Sequence, residues 1–267
     1  LWHRGPDNAG IQILDNDKVA LGHTRLAIID LSDSANQPMA DDDRSIWIVF
    51  NGEIYNHNQL RQELLSYGHK FTTTSDTEVV INSYRKWGYE CLTKFRGMFA
   101  FGLWDSNRKT FFLARDRVGL KPIYYHWDSS RNLFIFASEI KSILKHPKVI
   151  HTPDHSAIYD YLTYGYIPAP KTTHIGIHKL KPGTFLTLNE SKLRTKIYWD
   201  VPLFTTYEKT HKDDTTEKIT NQLFDSVKTH MVSDVPVGSF LSGGLDSSIV
   251  TAIASMNNKN PLKTYTI

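Results

Sequence analysis

One stretch near the end of this 267-residue sequence carries a strong local signal: Val237-Gly238-Ser239-Phe240-Leu241-Ser242-Gly243-Gly244-Leu245-Asp246-Ser247-Ser248. Its apolar first half predicts a short strand buried on both faces, and the two adjacent glycines then allow a sharp turn. Asp246 and the serines after it are typical of the first turn of a helix, where free N–H groups and the positive end of the helix dipole attract anions. Strand, glycine turn and helix N-terminus together predict a phosphate site.

Two common phosphate motifs do not fit this loop. The Walker motif needs a lysine followed by Ser or Thr after its glycines, and no lysine follows here. The dinucleotide motif needs a third glycine three residues after the second, where Ser247 stands. The loop resembles instead the Ser-Gly-Gly-x-Asp-Ser pyrophosphate loop of enzymes that split ATP into AMP and pyrophosphate. A plain strand–helix turn rich in small residues is the structural alternative.

The composition is that of a soluble globular protein, with 40% hydrophobic and 22% charged residues and a net charge of +3. No basic run indicates nucleic acid, and the twelve histidines are scattered, so a metal site built on them is not expected. The single cysteine, Cys91, excludes an internal disulfide and favours a reducing compartment. Because no apolar stretch reaches membrane-spanning length and no signal-like segment opens the chain, we expect a cytoplasmic protein that does not bind membranes.

Hydrophobic patterning divides the chain into two predicted domains. Residues 1–197 contain many short strand-like runs and a few amphipathic helices, which predicts an α+β domain. Residues 198–210 have no regular pattern and are predicted to be a linker. In residues 211–267 a helix leads into the strand of the glycine loop, so we expect the start of an α/β adenine-nucleotide-binding domain that is cut short.

Several polar residues of the first domain stand at positions typical of binding sites. Arg25 interrupts an apolar strand pattern, and Asn51-Gly52-Glu53 ends the most hydrophobic strand of the chain. Asp76 stands in the first turn of a helix that Ser75 and Glu78 are predicted to begin as a capping box. Strand ends and helix starts are where sites are usually built. Each residue also has a structural alternative: Arg25 as a snorkelling edge residue, and Asp76 as an ordinary first-turn acid.

Six motifs occur in an order that resembles one family. They are Arg4-Gly5-Pro6-Asp7, Gly22-His23-Thr24-Arg25-Leu26, Asn51-Gly52-Glu53-Ile54-Tyr55-Asn56, Ser75-Asp76-Thr77-Glu78, Arg96-Gly97-Met98-Phe99-Ala100-Phe101 and Ala114-Arg115-Asp116. The first domain is similar to the glutaminase domain of glutamine-dependent asparagine synthetases, of the class II glutamine amidotransferase family. The resemblance implies an N-terminal-nucleophile hydrolase fold, a four-layer αββα sandwich, followed by the pyrophosphate-loop domain.

The resemblance also implies roles for residues of both domains. Arg25 would bind the α-carboxylate of glutamine, and Glu53 and Asp76 would surround its α-ammonium. Asn51 and the Gly52 N–H would form the oxyanion hole. In the second domain, ATP and pyrophosphate would be bound by Leu241, Ser242, Gly243, Gly244, Asp246, Ser247 and Ile267. Asp246 would also lie near Mg²⁺, so ATP and Mg²⁺ are the expected cofactors.

The implied function is that of asparagine synthase (glutamine-hydrolysing). The amide nitrogen of glutamine would pass to the side-chain carboxylate of aspartate through β-aspartyl-AMP, with ATP converted to AMP and pyrophosphate. Glutamine, aspartate and ATP are the expected partners, and a homodimer is compatible with the resemblance. Two alternatives remain open: an amidotransferase or cyclase of the same architecture with another acceptor, and a non-catalytic glutamine-binding module. The complete glutamine shell argues against the first, and the intact phosphate loop argues against the second.

The nucleophile of this family is a cysteine at the mature N-terminus, which would stand upstream of the first residue of this sequence. Cys91 does not replace it, because its helix-like surroundings predict a buried structural thiol. We therefore expect an internal fragment that carries the glutamine-binding shell without the attacking group and that is inactive as a glutaminase.

Overall fold

The computed structural model describes residues 1–203, 212–258 and 260–266, and within the first helix of the second range it describes side chains from residue 215 onward. The chain divides into two units. The first contains Leu1–Ala27 and Ser32–Asp200, and the second contains residues 28–31 together with the described residues from 201 onward. The predicted linker, residues 198–210, lies largely outside the described residues. Within the described ranges, no helix is long and apolar enough to cross a membrane.

The first unit is built from antiparallel strands and short helices. Its strands are β1 (Asn8–Leu14), β2 (Val19–Arg25), β3 (Met39–Ala40), β4 (Ile46–Ile54), β5 (Gly97–Asp105), β6 (Thr110–Arg115), β7 (Tyr124–Asp128), β8 (Leu133–Ala137), β9 (Ile177–Lys179), β10 (Thr184–Asn189) and β11 (Lys192–Ile197). Its α-helices are α1 (His57–Ser66), α2 (Asp76–Trp87), α3 (Cys91–Lys94), α4 (Ile140–Leu144) and α5 (His155–Tyr164). The central sheet has the order β11-β10-β6-β5-β4-β3, β1 pairs with β2, and β8-β7-β9 form a third sheet.

The central sheet is covered on both faces, because β5 and β6 carry large apolar side chains at successive positions rather than at alternate ones. Phe101 and Phe112 belong to a buried cluster shared with α1, α2 and α3. Ala100 and Leu113 belong to a second cluster, shared with the β1–β2 hairpin and with β7 and β8. Ile143 of α4 packs against the outer side of β7 and β8. The layers are therefore helix, sheet, sheet and helix, and the predicted αββα sandwich is confirmed.

The second unit contains the predicted strand–loop–helix. Its elements are α6 (Lys212–His230), β12 (Gly238–Phe240), α7 (Leu245–Met256) and β13 (Lys263–Tyr265), with β12 and β13 parallel. Within the described residues, burial of β12 on both faces is not observed, since Phe240 is 74% exposed. The reason is that α7 covers only one face of β12, where the hydroxyls of Ser239 and Thr251 lie 2.8 Å apart.

Candidate functional site

The last residues of β4 extend beyond β3, so side chains take the place of a neighbouring strand along that edge. β3 pairs with Trp47 and Ile48 only. Further along, the Gln37 side chain accepts a hydrogen bond from the Phe50 N–H at 2.6 Å and donates one to the Phe50 carbonyl oxygen at 3.2 Å. The Asp76 carboxylate then accepts a hydrogen bond from the Ile54 N–H at 2.9 Å. Two side chains thus bracket the end of β4.

Between these two caps lies Gly52. Because the N–H groups of a strand alternate between its two edges, the Gly52 N–H points to the same edge as those of Phe50 and Ile54. Its neighbour on β5, Phe99, uses its own N–H and carbonyl oxygen to bond Asp116. The Gly52 N–H therefore faces the open edge of β4. Only glycine fits here, because a Cβ at this position would lie 2.2 Å from the Met98 carbonyl oxygen.

Asn51 and Glu53 flank Gly52 in the sequence. Because side chains alternate along a strand, both project from the face of β4 that also carries Val49. Val49 belongs to the cluster between the central sheet and the second layer of strands. The negative charge of Glu53 contributes, after burial, to the rise in the pKa of Tyr55 to about 12. It also opposes the lowering of the Lys121 pKa by burial. The Glu53 carboxylate therefore adds negative charge to the space between the two layers of strands.

Arg25 ends β2 in the second layer of strands and is 6% exposed. Its guanidinium donates to the Ser32 carbonyl oxygen and to Asn36 Oδ1, each at 2.9 Å. The alternative of a snorkelling edge residue is therefore wrong, because the charged head is buried and held in place. These two acceptors hold the planar guanidinium in a fixed orientation.

Asp76 is a buried acid at the first position of α2. Burial raises its pKa to about 6, against the lowering effect of the N–H groups of Ile54, Thr77 and Asp76 itself and of the charge on Arg25. Arg25 and Asp76 are therefore close enough to interact electrostatically, although they come from different layers. The structure brings together at the end of β4 the residues predicted to bind glutamine: Arg25, Asn51, Gly52, Glu53 and Asp76.

The start of α2 differs from the predicted capping box. Ser75 caps the helix as expected, since its hydroxyl accepts a hydrogen bond from the Thr77 N–H at 3.1 Å. Glu78 does not reach back to Ser75. Its carboxylate accepts from the backbone N–H groups of Thr72 and Thr73, each at 2.8 Å, and from both of their hydroxyls. Glu78 therefore orders the loop before α2 through four local donors, while the Ser75 N–H donates to Thr73 Oγ1 at 3.2 Å.

Gln37 and His23, on which the end of β4 also depends, were not predicted as site residues. His23 Nε2 lies 3.1 Å from the Phe50 carbonyl oxygen, and burial lowers the pKa of this imidazole to about 4, so it is neutral near pH 7. His23 stands in one of the family motifs, which was a usable signal. Gln37 carries no such signal, because the sequence does not distinguish a buried glutamine from a solvated glutamine in a loop.

Cys91 lies in α3 and is fully buried. Burial raises the pKa of its thiol far above the ordinary range, with no compensating cation among the causes of the shift. The thiolate, which is the nucleophilic form of cysteine, is therefore strongly disfavoured there. The prediction of a buried structural thiol is confirmed.

In the second unit, the glycine loop joins β12 to α7 with the expected geometry. The Leu241 N–H donates to the Tyr265 carbonyl oxygen at 2.8 Å, so pairing with β13 continues to the mouth of the loop. Gly243 has a φ of +79°, which favours glycine, and Gly244 is the N-cap of α7. The hydroxyls of Ser242 and Ser247 lie 3.0 Å apart across the turn, and Ser247 also donates to the Gly244 carbonyl oxygen at 3.1 Å.

Asp246 occupies the first turn of α7 and is exposed to solvent. No group of three or more His, Cys, Asp and Glu side chains among the described residues is placed to hold a metal ion. Asp246 thus offers a single carboxylate beside the loop. Ile267, the remaining residue predicted to bind ATP, lies outside the described residues.

The family model described as "Glutamine amidotransferase domain" matches residues 1–199. The chain belongs to this glutamine amidotransferase family. A second model, described as "Asparagine synthase", matches residues 218–267, which contain the glycine loop. The two matches thus correspond to the part of the chain with the αββα sandwich and the part with the glycine loop.

Curated relatives align with nearly all of the chain. "Asparagine synthetase [glutamine-hydrolyzing] 1" of Bacillus subtilis is 38% identical over 99% of the chain and 41% of its own length. "Asparagine synthetase [glutamine-hydrolyzing] 3" of the same organism is 40% identical over 100% and 44%. "Amidase chry2" of Gibberella zeae is 38% identical over 95% and 37%. The chain therefore spans less than half the length of these three relatives.

Among solved structures, the glutamine phosphoribosylpyrophosphate amidotransferase of Bacillus subtilis matches 92% of this chain and 51% of its own. The TM-score is 0.46 and the sequence identity is 17%. A likeness at this level adds nothing to the assignment, which rests on the family matches and on the layers of the fold.

Proposed function

We propose that this protein serves in glutamine-dependent asparagine synthesis. The first unit supplies the glutamine-binding site at which the protein from the complete reading frame hydrolyses glutamine. The second unit begins the site where ATP activates the side-chain carboxylate of aspartate as β-aspartyl-AMP. In this proposal, residues 1–197 are the amidotransferase domain, residues 198–210 are the linker, and residues 211–267 begin the ATP-pyrophosphatase domain. We place the activity in the cytoplasm, since the lone thiol of the chain suits a reducing compartment.

The observation that carries the proposal is the open Gly52 N–H between two side-chain caps. A tetrahedral intermediate of amide hydrolysis places negative charge on the former carbonyl oxygen, and a preorganised N–H stabilises that charge. The Asn51 side chain, on the adjacent residue of the same strand, is the second donor. Because Phe50 and Ile54 are held on either side, the oxyanion site requires little reorganisation during the reaction.

The charges around this site fit the other end of an L-glutamine molecule. Arg25 presents a planar donor fork of the kind that pairs with an α-carboxylate in two parallel hydrogen bonds. Asp76 and Glu53 supply the negative charge that an α-ammonium requires. The pKa of about 6 for Asp76 means that it is largely ionised near pH 7. The carboxylates of Asp76 and Glu53 and the guanidinium of Arg25 complement the charges at the zwitterionic end of an amino acid. The oxyanion site selects the side-chain amide of glutamine.

In the second unit, the loop between β12 and α7 is suited to pyrophosphate. The N-cap residue Gly244 has no side chain to occupy the helix N-terminus, so the first N–H groups of α7 can face a phosphate group. Ser242 and Ser247 add hydroxyls on either side of the turn, and Leu241 closes the strand that leads into it. Ile267 is assigned with them as an adenosine contact. Together with Gly243, these residues would bind the leaving pyrophosphate of ATP.

A Mg²⁺ ion fits this loop only as a partner of the nucleotide. Mg²⁺ is commonly held by one or two carboxylates together with substrate phosphates and water, and Asp246 supplies one such carboxylate. When bound, the ion would neutralise charge that develops on pyrophosphate.

The first test of this proposal is calorimetric titration of the purified chain with L-glutamine. We expect saturable binding that L-glutamate and D-glutamine do not reproduce, because the site distinguishes the amide from a carboxylate and is chiral at Cα. Absence of binding would overturn the glutamine site. Binding without any asparagine formation by the protein from the complete reading frame would support the non-catalytic module instead.

The second test is product analysis with the protein expressed from its complete reading frame. Given ATP, aspartate and ammonia, it should form AMP, pyrophosphate and asparagine. Asp246→Ala should lower AMP formation by about 100-fold, since pyrophosphate charge would go uncompensated, while glutamine hydrolysis persists. Asp225→Ala, on an exposed part of α6, is the matched control. ADP as the product would contradict the assignment of the loop, and AMP formation without asparagine would favour another acceptor.

A further inference from the structure

The side chain of Gln37 is 7% exposed, and its whole amide is engaged. Its oxygen accepts from the Phe50 N–H at 2.6 Å, and its nitrogen donates to the Phe50 carbonyl oxygen at 3.2 Å and to Thr77 Oγ1 at 3.3 Å. A primary amide has two N–H donors and a carbonyl acceptor, so these contacts use both donors and the acceptor. Gln37 is thus fully satisfied by two elements, β4 and α2.

The position of Gln37 follows from the register of β3 on β4. Met39 faces Ile48 and Ala40 faces Trp47. Two residues further along the same antiparallel register, position 37 would face Phe50. Pro38, which has no N–H, separates it from β3. The side chain of Gln37 therefore supplies to Phe50 the two hydrogen bonds that a continuing backbone would have supplied.

The replacement of backbone hydrogen bonds by the Gln37 side chain also affects Gly52. If the backbone ladder had continued, the next residue of β4 on this edge would have been paired, and its N–H would have been consumed by a carbonyl oxygen. The Gln37 amide instead ends the ladder at Phe50 without leaving that residue unsatisfied. The Gly52 N–H, two residues further on, is then left facing the open edge.

On the basis of the proposed glutamine site, we infer that Gln37 is a positioning residue for the oxyanion hole. It ends the β3–β4 ladder at Phe50, so that the Gly52 N–H is aimed at the amide oxygen of bound glutamine. Through Thr77 it also ties that strand to the start of α2, next to Asp76. The side-chain amide of glutamine is thereby bound at β4 and its amino-acid end at the start of α2, and Gln37 connects these two elements.

A residue with this role affects the transition state more than the bound substrate. The oxyanion exists only during the reaction, so its misplacement lowers kcat, whereas the contacts of Arg25 and Asp76 with the amino-acid end sustain KM. Loss of a single oxyanion donor costs about 100- to 1,000-fold in kcat, and its misalignment is expected to cost about 10- to 100-fold.

The test compares three variants in the protein expressed from its complete reading frame. Gln37→Met keeps the length of the side chain and removes all three hydrogen bonds. Thr77→Val keeps the clamp on Phe50 and cuts only the link to α2, so it remains informative if Gln37→Met folds poorly. Gln59→Met, on the exposed face of α1, is the matched control. The measurements are glutamine hydrolysis, asparagine synthesis from free ammonia, and hydrogen exchange of the Phe50 N–H.

For Gln37→Met we expect kcat of glutamine hydrolysis to fall about 10- to 100-fold, KM to change less than about 3-fold, and ammonia-dependent synthesis to stay unchanged. Exchange of the Phe50 N–H should accelerate. Thr77→Val should show a smaller fall in the same direction. An unchanged kcat, or an equal loss of both activities, would overturn the positioning role. A wild-type protein that does not bind glutamine would instead overturn the proposed function itself.

Discussion

The Asp76 carboxylate accepts a hydrogen bond from the Ile54 N–H at 2.9 Å, so the first residue of α2 caps the end of β4. One buried acid thereby belongs to two parts of the site. It fixes the strand that carries Gly52, and its charge is available to an α-ammonium group. Because burial favours the protonated acid whereas an α-ammonium group favours the ionised one, the effects of Asp76 on stability and on binding can be separated by pH.

The pH dependence of folding should show the ionisation of Asp76. Burial raises its pKa from 3.8 to about 6 in the folded chain, so the folded state favours the protonated acid. Its contribution to stability is therefore complete below the unfolded pKa and is lost as the pH rises through about 6. We expect Asp76→Asn to remove this loss, which amounts to about 3 kcal/mol at most. Denaturant unfolding from pH 4 to pH 8 measures it, and parallel curves for both proteins would contradict the assignment.

Glutamine binding should depend on pH in the opposite sense. The ionised carboxylate pairs with the α-ammonium, so L-glutamine affinity should increase as the pH rises through about 6 and then level off. Asp76→Asn should bind glutamine at least about 10-fold more weakly at pH 7.5 and should lose this pH dependence. Calorimetric titration at several pH values provides the measurement. Retention of wild-type affinity in Asp76→Asn would leave the acid with a structural role only.

Substitution of Arg25 should weaken glutamine binding strongly without unfolding the chain. Removal of a charged partner from a site of this kind costs about 3 kcal/mol, or roughly 100-fold in affinity. Arg25→Lys should recover only part of the loss, because lysine lacks the planar fork. Arg131→Ala, which removes an exposed arginine paired with Asp128, is the control. If Arg25→Ala and Arg131→Ala bind glutamine equally well, the assignment of the carboxylate site is wrong.

Gly52→Ala should damage both the fold and the site. The added Cβ would lie 2.2 Å from the Met98 carbonyl oxygen and 2.7 Å from the Phe99 Cα, and both are backbone atoms of the central sheet. We expect a loss of about 3 kcal/mol or more in unfolding free energy. Gly22→Ala is the matched control, since its Cβ would meet no atom closer than 4.0 Å. Similar melting temperatures for the two variants would contradict the close packing described here.

Cys91 should be unreactive in the folded chain. Because its thiol is fully buried and its pKa is raised, a thiol reagent should modify it only after denaturation. The purified chain should release no ammonia from glutamine, since acyl transfer needs an activated nucleophile. Cys91→Ala is the control for trace activity. Ammonia release that disappears in Cys91→Ala would show that this thiol reaches the substrate.

Much of the architecture could be predicted from local patterns. The hairpin of β1 and β2, the strands β5 and β6 and the glycine loop before α7 each leave a signal within a few residues, because side-chain alternation and turn chemistry act locally. Burial of β12 on both faces was also predicted from its apolar run, and among the described residues Phe240 is exposed. An apolar run shows that a strand can be buried, whereas the elements that cover it are set by the rest of the fold.

The sequence by itself determined the residue types of the candidate site: Arg25, the Asn51-Gly52-Glu53 strand end and Asp76 stand out as polar groups at strand ends and helix starts. Only the tertiary structure decided that these residues meet, and that Gln37 and Asp76 cap the same edge of β4 on either side of Gly52. The physical reason is that hydrogen-bond partners distant in sequence are chosen by strand register and packing. Strand register and packing cannot be inferred from a glutamine in a loop sequence. The contribution of Gln37 to the site therefore became visible only in the tertiary structure.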